Sequence, residues 1–351
     1  MLYRCMAPCC APQPGAAGAG RPRLFSMDLH CHVLCLEVEP LVASHPRRQA
    51  EAAMMVRAFG AESAAYNASV MLPAALPKLT RLETRLADMD TMGVDVQLLS
   101  PAGNQYYYWA EEPLARDIVR VINEHIASLC ALHPQRLQGL GTVALQHPQL
   151  AVQQLRHAVE TLGLRGVTIS TAVEGGELSD PGLEPFWAEA ARLGCVVFIH
   201  PQGTWAADRL GRWYLANVIG QPLETTVALS HLIFGGVLDR HPGVRLLAAH
   251  GGGFLPFYLG RFEHAWKVRR ESPREYLRRI WFDTVVYEPR ALRNLIDEVG
   301  VSQVVAGTDY PYDMGAWDVA GLLAAVPGLD DAGRAAIAGG NARRLLDRTP
   351  M

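Results

Sequence analysis

The chain has 351 residues, 50% of them hydrophobic and 19% charged, with 32 Lys and Arg against 35 Asp and Glu for a net charge of −3. It is too apolar for a disordered chain, and too weakly charged for a nucleic-acid or anionic-membrane partner. No apolar run reaches the roughly 18 residues that span a bilayer, so we expect a soluble, core-rich protein. The seven cysteines form no paired CxxC pattern, which predicts reduced thiols in a cytoplasm. Cys31 and Cys35 read as buried small hydrophobes rather than a metal pair.

In chain order, residues 7–20 (APCCAPQPGAAGAG) are almost entirely Ala, Pro and Gly and carry no periodicity. Residues 1–23 are therefore expected to be a flexible leader, with Met27 an alternative translation start. From Leu24 onward, short apolar runs alternate with longer amphipathic stretches. The predicted strands are 24–31, 94–99, 137–145, 164–170, 195–200, 244–250, 280–286 and 302–309. Continuous apolar runs of this length suit strands buried on both faces of a parallel sheet. Helical patterns lie between them at 113–132, 148–162, 182–193 and 288–299, several opening on a proline. Eight such units predict an α/β fold, a (β/α)8 TIM barrel occupying residues 24–351 as one domain. An open doubly wound sheet is the alternative, but its GxGxxG phosphate loop is absent.

Two excursions interrupt the rhythm. Residues 33–80 should form an insertion over the barrel mouth, after the first strand. Residues 201–220, with Trp205, Arg209, Arg212 and Trp213, follow the fifth strand. Loops after barrel strands build the active-site face, so both are candidate substrate walls.

The chemistry-bearing residues sit at strand tips. His30 and His32 flank Cys31 at the end of the first strand, and alternation turns both imidazoles to one face. His200 ends the fifth strand, His250 the sixth and Asp309 the eighth. A lone core histidine is more often hydrogen-bonded to backbone than a ligand. Five polar side chains converging on one rim instead describe three or four N/O ligands around an open catalytic metal position.

These residues and their surroundings resemble the amidohydrolase superfamily, and within it the aminocarboxymuconate-semialdehyde decarboxylase branch. The segments carrying the resemblance are MDLHCH, DMDTMGVDVQLLS, FIHPQG, PLETTVALSHLIFGGVLDRHPGVRLL, AAHGGGFLPFYLGRFEHAW and GTDYPYDMG. The resemblance implies metal ligands at His30, His32, His200 and Asp309, and a catalytic acid/base at His250. Arg261 matches an arginine that reaches the substrate carboxylate across a dimer interface, which implies a homodimer; its bland reading is a helix-surface ion pair. A divalent cation lowers the pKa of bound water toward about 7, and an imidazole exchanges protons near neutral pH. The implied activity is metal-dependent, non-oxidative decarboxylation of an aromatic, heteroaromatic or unsaturated acid. A hydrolase or hydratase of the same fold, acting on a lactone, amide or enol acid, is the alternative; a barrel that binds metal without catalysis is a third.

Departures from the branch narrow the expectation. The fourth strand ends in Thr168, Ile169 and Ser170 with no lysine to bridge two metals, so one ion is expected, zinc ahead of manganese. The stretch NASVMLPAALPK lacks the arginine that grips a second substrate carboxylate in the type enzymes, and Lys78 cannot make its bidentate fork. Val70, Met71, Leu72 and Leu76 there suggest either a greasier substrate wall or core packing. The run Tyr106 to Trp109 reads as pocket lining or interface. The string HGGG lacks a GxSxG partner, so its glycines should serve a tight turn. The other histidines, His45, His125, His133, His147, His157, His231, His241 and His264, read as solvated or structural.

Overall fold

The computed structural model describes residues 23–204, 206–266 and 271–347, so the predicted leader lies outside the described residues except for Arg23. Each of the eight apolar runs contains a strand: β1 (Met27–Val33), β2 (Val96–Pro101), β3 (Leu137–Gly139), β4 (Gly166–Ile169), β5 (Val196–Ile199), β6 (Arg245–Ala248), β7 (Trp281–Asp283) and β8 (Val304–Val305). Strands β1 to β3 form one parallel sheet and β4 to β8 another, each in chain order. Parallel bridges stitch both seams, Gly141 to Val167 on one side and Cys31 to Tyr310 on the other. Backbone bonds from Leu29 to the Ala306 carbonyl (2.9 Å) and from Thr168 to the Gly141 carbonyl (2.8 Å) support them. The result is the (β/α)8 barrel that the order of runs predicts.

Alternation sorts the apolar side chains into two cores. Val167, Ile169, Val197, Ile199, Leu246 and Phe282 pack outward under the helices. Met27, Leu29, Leu98, Phe198, Leu247 and Val305 fill the interior, closed at one end by Ala342, Leu345 and Leu346 of the last helix. Because the strands are buried on both faces, they read as apolar runs rather than alternating ones.

Strand β1 departs from strict alternation where it matters. Asp28 pairs with Gln97 and Cys31 with Leu99, so two residues of β1 face one of β2. This bulge lets Leu29 and then His30 both point inward. His30 and His32 enter the barrel, while Cys31 packs outward and its thiol reaches the Leu98 carbonyl (3.4 Å).

The barrel helices fall close to their predicted spans, at Glu112–Leu132, Pro148–Arg156, Glu184–Leu193 and Pro289–Val299. In the first, Ala115, Ile118, Val119, Ile122 and Ile126 recur every three or four residues and bury one stripe. Proline stands in the opening turn of all four, where its missing N–H costs nothing. The insertion after β1 is helical, chiefly Pro46–Phe59 and Leu72–Thr80, before the barrel helix Leu82–Met92. Among the described residues, no helix is long and apolar enough to cross a membrane.

Candidate active site

The five predicted residues meet at the C-terminal end of the strands. One ligand atom from each of His30, His32, His200 and Asp309 lies within 4.8 Å of the others, and all four residues are buried. Asp309 Oδ1 stands 3.3 Å from His30 Nε2 and 3.2 Å from His32 Nε2. Two ligands about 2.1 Å from a tetrahedral ion stand roughly 3.4 Å apart, so this spacing fits a cation between them. Neither ring nitrogen of His200 has a hydrogen-bond partner, nor does Nε2 of His30. Buried polar atoms are usually paired, and an ion at the centre would complete these. Phe198 forms a dry floor, its ring 5.0 Å from that of His30 and 5.8 Å from that of His200.

The far nitrogens are tied back. Nδ1 of His30 donates to Asp283 Oδ2 at 2.6 Å, and Nδ1 of His32 lies 3.3 Å from the Pro101 carbonyl. Both contacts hold a proton on Nδ1 and leave the Nε2 lone pair directed at the centre. Burial opposes charge on His30, yet Asp309 and Asp283 outweigh it and raise its imidazole to about 10. Burial holds His32 below the ordinary imidazole range, and burial with the neighbouring histidines holds His200 well below it. Burial would raise Asp309, but His30 and the other facing imidazoles keep it well below the usual carboxylate range. The carboxylates of Asp309 and Asp283 thus favour positive charge at this point, and a cation bound there would displace the proton from His30 Nε2.

His250 stands beside the cluster. Its Nε2 is 3.8 Å from Asp309 Oδ2, a charge contact rather than a hydrogen bond, and its buried Nδ1 has no partner. Both His250 (φ 55°) and Asp309 (φ 56°) occupy the left-handed region, strain of the kind stored at functional sites. The glycines after His250 serve the tight turn expected of them. At Gly253 (φ +67°) a Cβ would stand 2.1 Å from the Pro222 carbonyl oxygen, so only glycine fits.

Three supporting residues escaped the sequence reading. Asp283, fully buried at the end of β7, gathers His30 Nδ1 and the backbone N–H groups of His250, Gly251 and Val285. It was findable by the same strand-tip rule, as the one acid in the run 280–286. Asp28 accepts from Gln97, from Thr308 and from the His30 N–H, and burial pushes its carboxyl up to about 6. Arg85, only 2% exposed, donates to Gln97 and to the His32 carbonyl. Neither carried a signal, because nothing in the sequence tells that the helix 82–92 faces the back of β1.

The expected substrate walls need correction. Val70, Leu72 and Leu76 are 51%, 46% and 44% exposed, so they do not pack a core, and they do not line the cavity described below. Their segment is helical, and the helix turns these side chains outward. Lys78 is engaged by Asp88 and lies over the Tyr310 and Trp317 rings. Arg209, Arg212 and Trp213 face solvent, and Trp205 lies outside the described residues. A cavity of about 280 Å³ is lined instead by Glu51, Met54 and Met55 of helix Pro46–Phe59, by Tyr108 and Trp109, and by Gln202 beyond His200. The insertion therefore reaches the active-site face through its first long helix. The tyrosine run is buried, with Tyr106 donating to the His200 carbonyl at 3.3 Å.

Arg261 is not part of the cluster. It lies exposed on the short helix Leu259–Ala265 and has no ion-pair or hydrogen-bond partner among the described residues, so the surface ion-pair reading fails. Two of the other histidines have local roles. His45 Nδ1 accepts from the Arg47 N–H at the start of helix 46–59, and His241 pairs with Glu184 at 2.7 Å.

Comparison with known proteins agrees with this geometry. A family model described as amidohydrolase matches residues 27–348. A 2-amino-3-carboxymuconate-6-semialdehyde decarboxylase from Dictyostelium discoideum is 35% identical over 276 residues, 76% of this chain and 77% of the relative. The crystal structure of 5-carboxyvanillate decarboxylase from Sphingomonas paucimobilis superposes with a TM-score of 0.79 at 26% identity, covering 92% of this chain and 99% of the other. A 5-carboxyvanillate decarboxylase from Novosphingobium aromaticivorans, complexed with manganese and 4-hydroxy-3-methoxy-5-nitrobenzoic acid, shares the fold with a TM-score of 0.83 at 22% identity, over 92% and 96% of the two chains.

Proposed function

Because the chain belongs to the amidohydrolase family, we propose that it is a metal-dependent, non-oxidative decarboxylase, a carbon–carbon lyase acting on an aromatic, heteroaromatic or unsaturated carboxylic acid. The observation that carries the reading is the buried His30, His32, His200 and Asp309 cluster with His250 beside it. Those four residues would hold one divalent cation, which when bound supplies a Lewis acid for the substrate's oxygens. Three imidazoles and a carboxylate favour zinc, with manganese compatible with the same donors.

The chain's own residues supply the rest. Asp283 and the Pro101 carbonyl fix the tautomers of His30 and His32. The unpartnered Nδ1 of His250 leaves that ring free to rotate its bonding toward substrate and to deliver a proton. Decarboxylation needs one proton: a C–H bond forms at the carbon bearing the carboxylate, the C–C bond breaks, and CO2 leaves without its electron pair. The aromatic Tyr108 and Trp109 and the methionines of helix 46–59 would suit a flat ring in the cavity, where Arg47 offers a cation for a carboxylate.

We further propose a homodimer in which Arg261 of a second copy meets the substrate carboxylate. Its exposed, unpaired guanidinium supports this, as do the exposed Phe257 (41%) and Tyr258 (60%) beside it. We read residues 24–351 as one catalytic domain, working in the cytoplasm. The reduced thiols of Cys31, Cys35 and Cys130 are consistent with that compartment. The test is a panel of aromatic and heteroaromatic acids assayed for CO2 with metal-loaded protein. CO2 release that chelation abolishes and Mn2+ or Zn2+ restores is expected. Turnover of a competent acid without CO2 would refute the decarboxylase and leave the hydrolase or hydratase.

A further inference from the structure

A second group of metal-type donors lies outside the barrel mouth's central cluster. Cys35 follows β1, Glu37 sits in the single 3₁₀ turn Leu36–Val38, and His125 projects from the middle of the helix Glu112–Leu132. One ligand atom from each lies within 4.8 Å of the others. Both close contacts converge on one oxygen: Glu37 Oε2 is 3.3 Å from Cys35 Sγ and 3.4 Å from His125 Nδ1.

Those separations are compatible with a shared ion. With zinc at about 2.3 Å from sulfur and about 2.0–2.2 Å from nitrogen and oxygen, tetrahedral edges are roughly 3.4–3.6 Å long. A thiol–carboxylate hydrogen bond and a histidine–carboxylate pair would each account for one contact. They do not by themselves require three different donor types to crowd a single point.

The site is also held in advance. The Gln105 side chain accepts from the Cys35 N–H (3.0 Å) and donates to its carbonyl (2.8 Å), so the cysteine backbone cannot swing away. The Val121 carbonyl, one helical turn before His125, lies 3.9 Å from the thiol. Cys35 is buried, whereas the Glu37 side chain is 62% exposed, which gives an ion an entry path and leaves room for a water as fourth ligand.

We propose that Cys35, Glu37 and His125 form a second metal site, selective for a thiophilic divalent ion of the zinc, cobalt and cadmium class. The step balances as loss of one proton: the thiol S–H bond breaks, a sulfur–metal bond forms, and the proton passes to solvent. The ion would staple the exit of β1 to the helix between β2 and β3.

The experiment uses the full chain, with its central site already filled with manganese, titrated with Co2+. The central donors are imidazole and carboxylate only, so the part of the near-ultraviolet sulfur-to-cobalt charge-transfer absorption that depends on Cys35 reports the second site even if cobalt also exchanges at the centre. We expect this absorption to saturate at about one equivalent per chain, to vanish in Cys35→Ser, and to require at least about tenfold more cobalt in His125→Ala. No such absorption in the wild-type protein, or its persistence in Cys35→Ser, overturns the proposal. So does unchanged cobalt affinity in His125→Ala, a surface substitution that keeps the thiol and tests the site independently of the folding of Cys35→Ser.

Discussion

Replacing Asp283 by Asn removes the charge behind the central histidine while keeping its shape. The carboxylate accepts four hydrogen bonds. Oδ2 takes His30 Nδ1 at 2.6 Å and the His250 N–H at 2.9 Å; Oδ1 takes the N–H groups of Gly251 at 2.9 Å and Val285 at 3.0 Å. An asparagine has one acceptor oxygen, so in either orientation its NH2 confronts two donors. Each buried donor left without an acceptor costs about 1–3 kcal/mol, which places the metal-free variant about 2–6 kcal/mol below the parent. Loss of a carboxylate behind a ligating histidine also lowers metal affinity about 10- to 100-fold, or about 1.4–2.7 kcal/mol. Urea unfolding of the metal-free proteins reads the first quantity, and competition with a chelator reads the second. Metal affinity within about twofold of the parent, with unchanged stability, would refute the view that Asp283 organises both His30 and the turn at His250.

Three further outcomes are expected. His250→Asn suits the left-handed backbone at φ 55°, so the fold and metal content should persist while kcat falls about 10²- to 10⁴-fold. A kcat within about threefold of the parent would remove His250 from the proton-transfer role. Gly253→Ala sets a Cβ 2.1 Å from the Pro222 oxygen at φ +67° and should cost about 2–4 kcal/mol in urea unfolding; parental stability would show that the turn relaxes freely. Glu189 is held down to about 2 by hydrogen bonds from Arg192 and Arg156. A depressed carboxylate stabilises the fold above its unfolded pKa, and that stability is lost as pH falls from about 4.5 toward about 2. Both arginines are about half exposed, so screening reduces the effect, and Glu189→Gln should cost about 1–2 kcal/mol at pH 7. The gap should close on acidification, and a gap independent of pH would show that packing, not charge, sets it.

The part of the fold legible in the sequence follows from local rules. Apolar runs at strand length, each followed by a helical stretch, specify both the number of units and their parallel order, because parallel strands need a crossover connection. His200, His250 and Asp309 were visible because each polar residue closes an apolar run. Asp283 obeys the same rule and was passed over. Asp28 and Arg85 obey no local rule: a buried acid and a buried arginine are joined through Gln97 from three separate segments.

The cavity wall is less legible for a related reason. The notable sequence in the insertion was the apolar stretch 70–76, yet the residues that face the cavity come from helix Pro46–Phe59, whose composition is unremarkable. An insertion's composition states how much apolar surface it carries, not which side docks against the barrel.

The sequence by itself determined the barrel, the strand-tip positions of the five polar residues and the need for glycine after His250, since these depend on periodicity and on backbone sterics. Tertiary structure alone decided that a bulge in β1 turns His30 inward, that Asp283 locks its tautomer, and that Cys35, Glu37 and His125 come within 4.8 Å of one another. Those facts depend on register and on contacts between distant segments, and a chain's order records neither until the strands close.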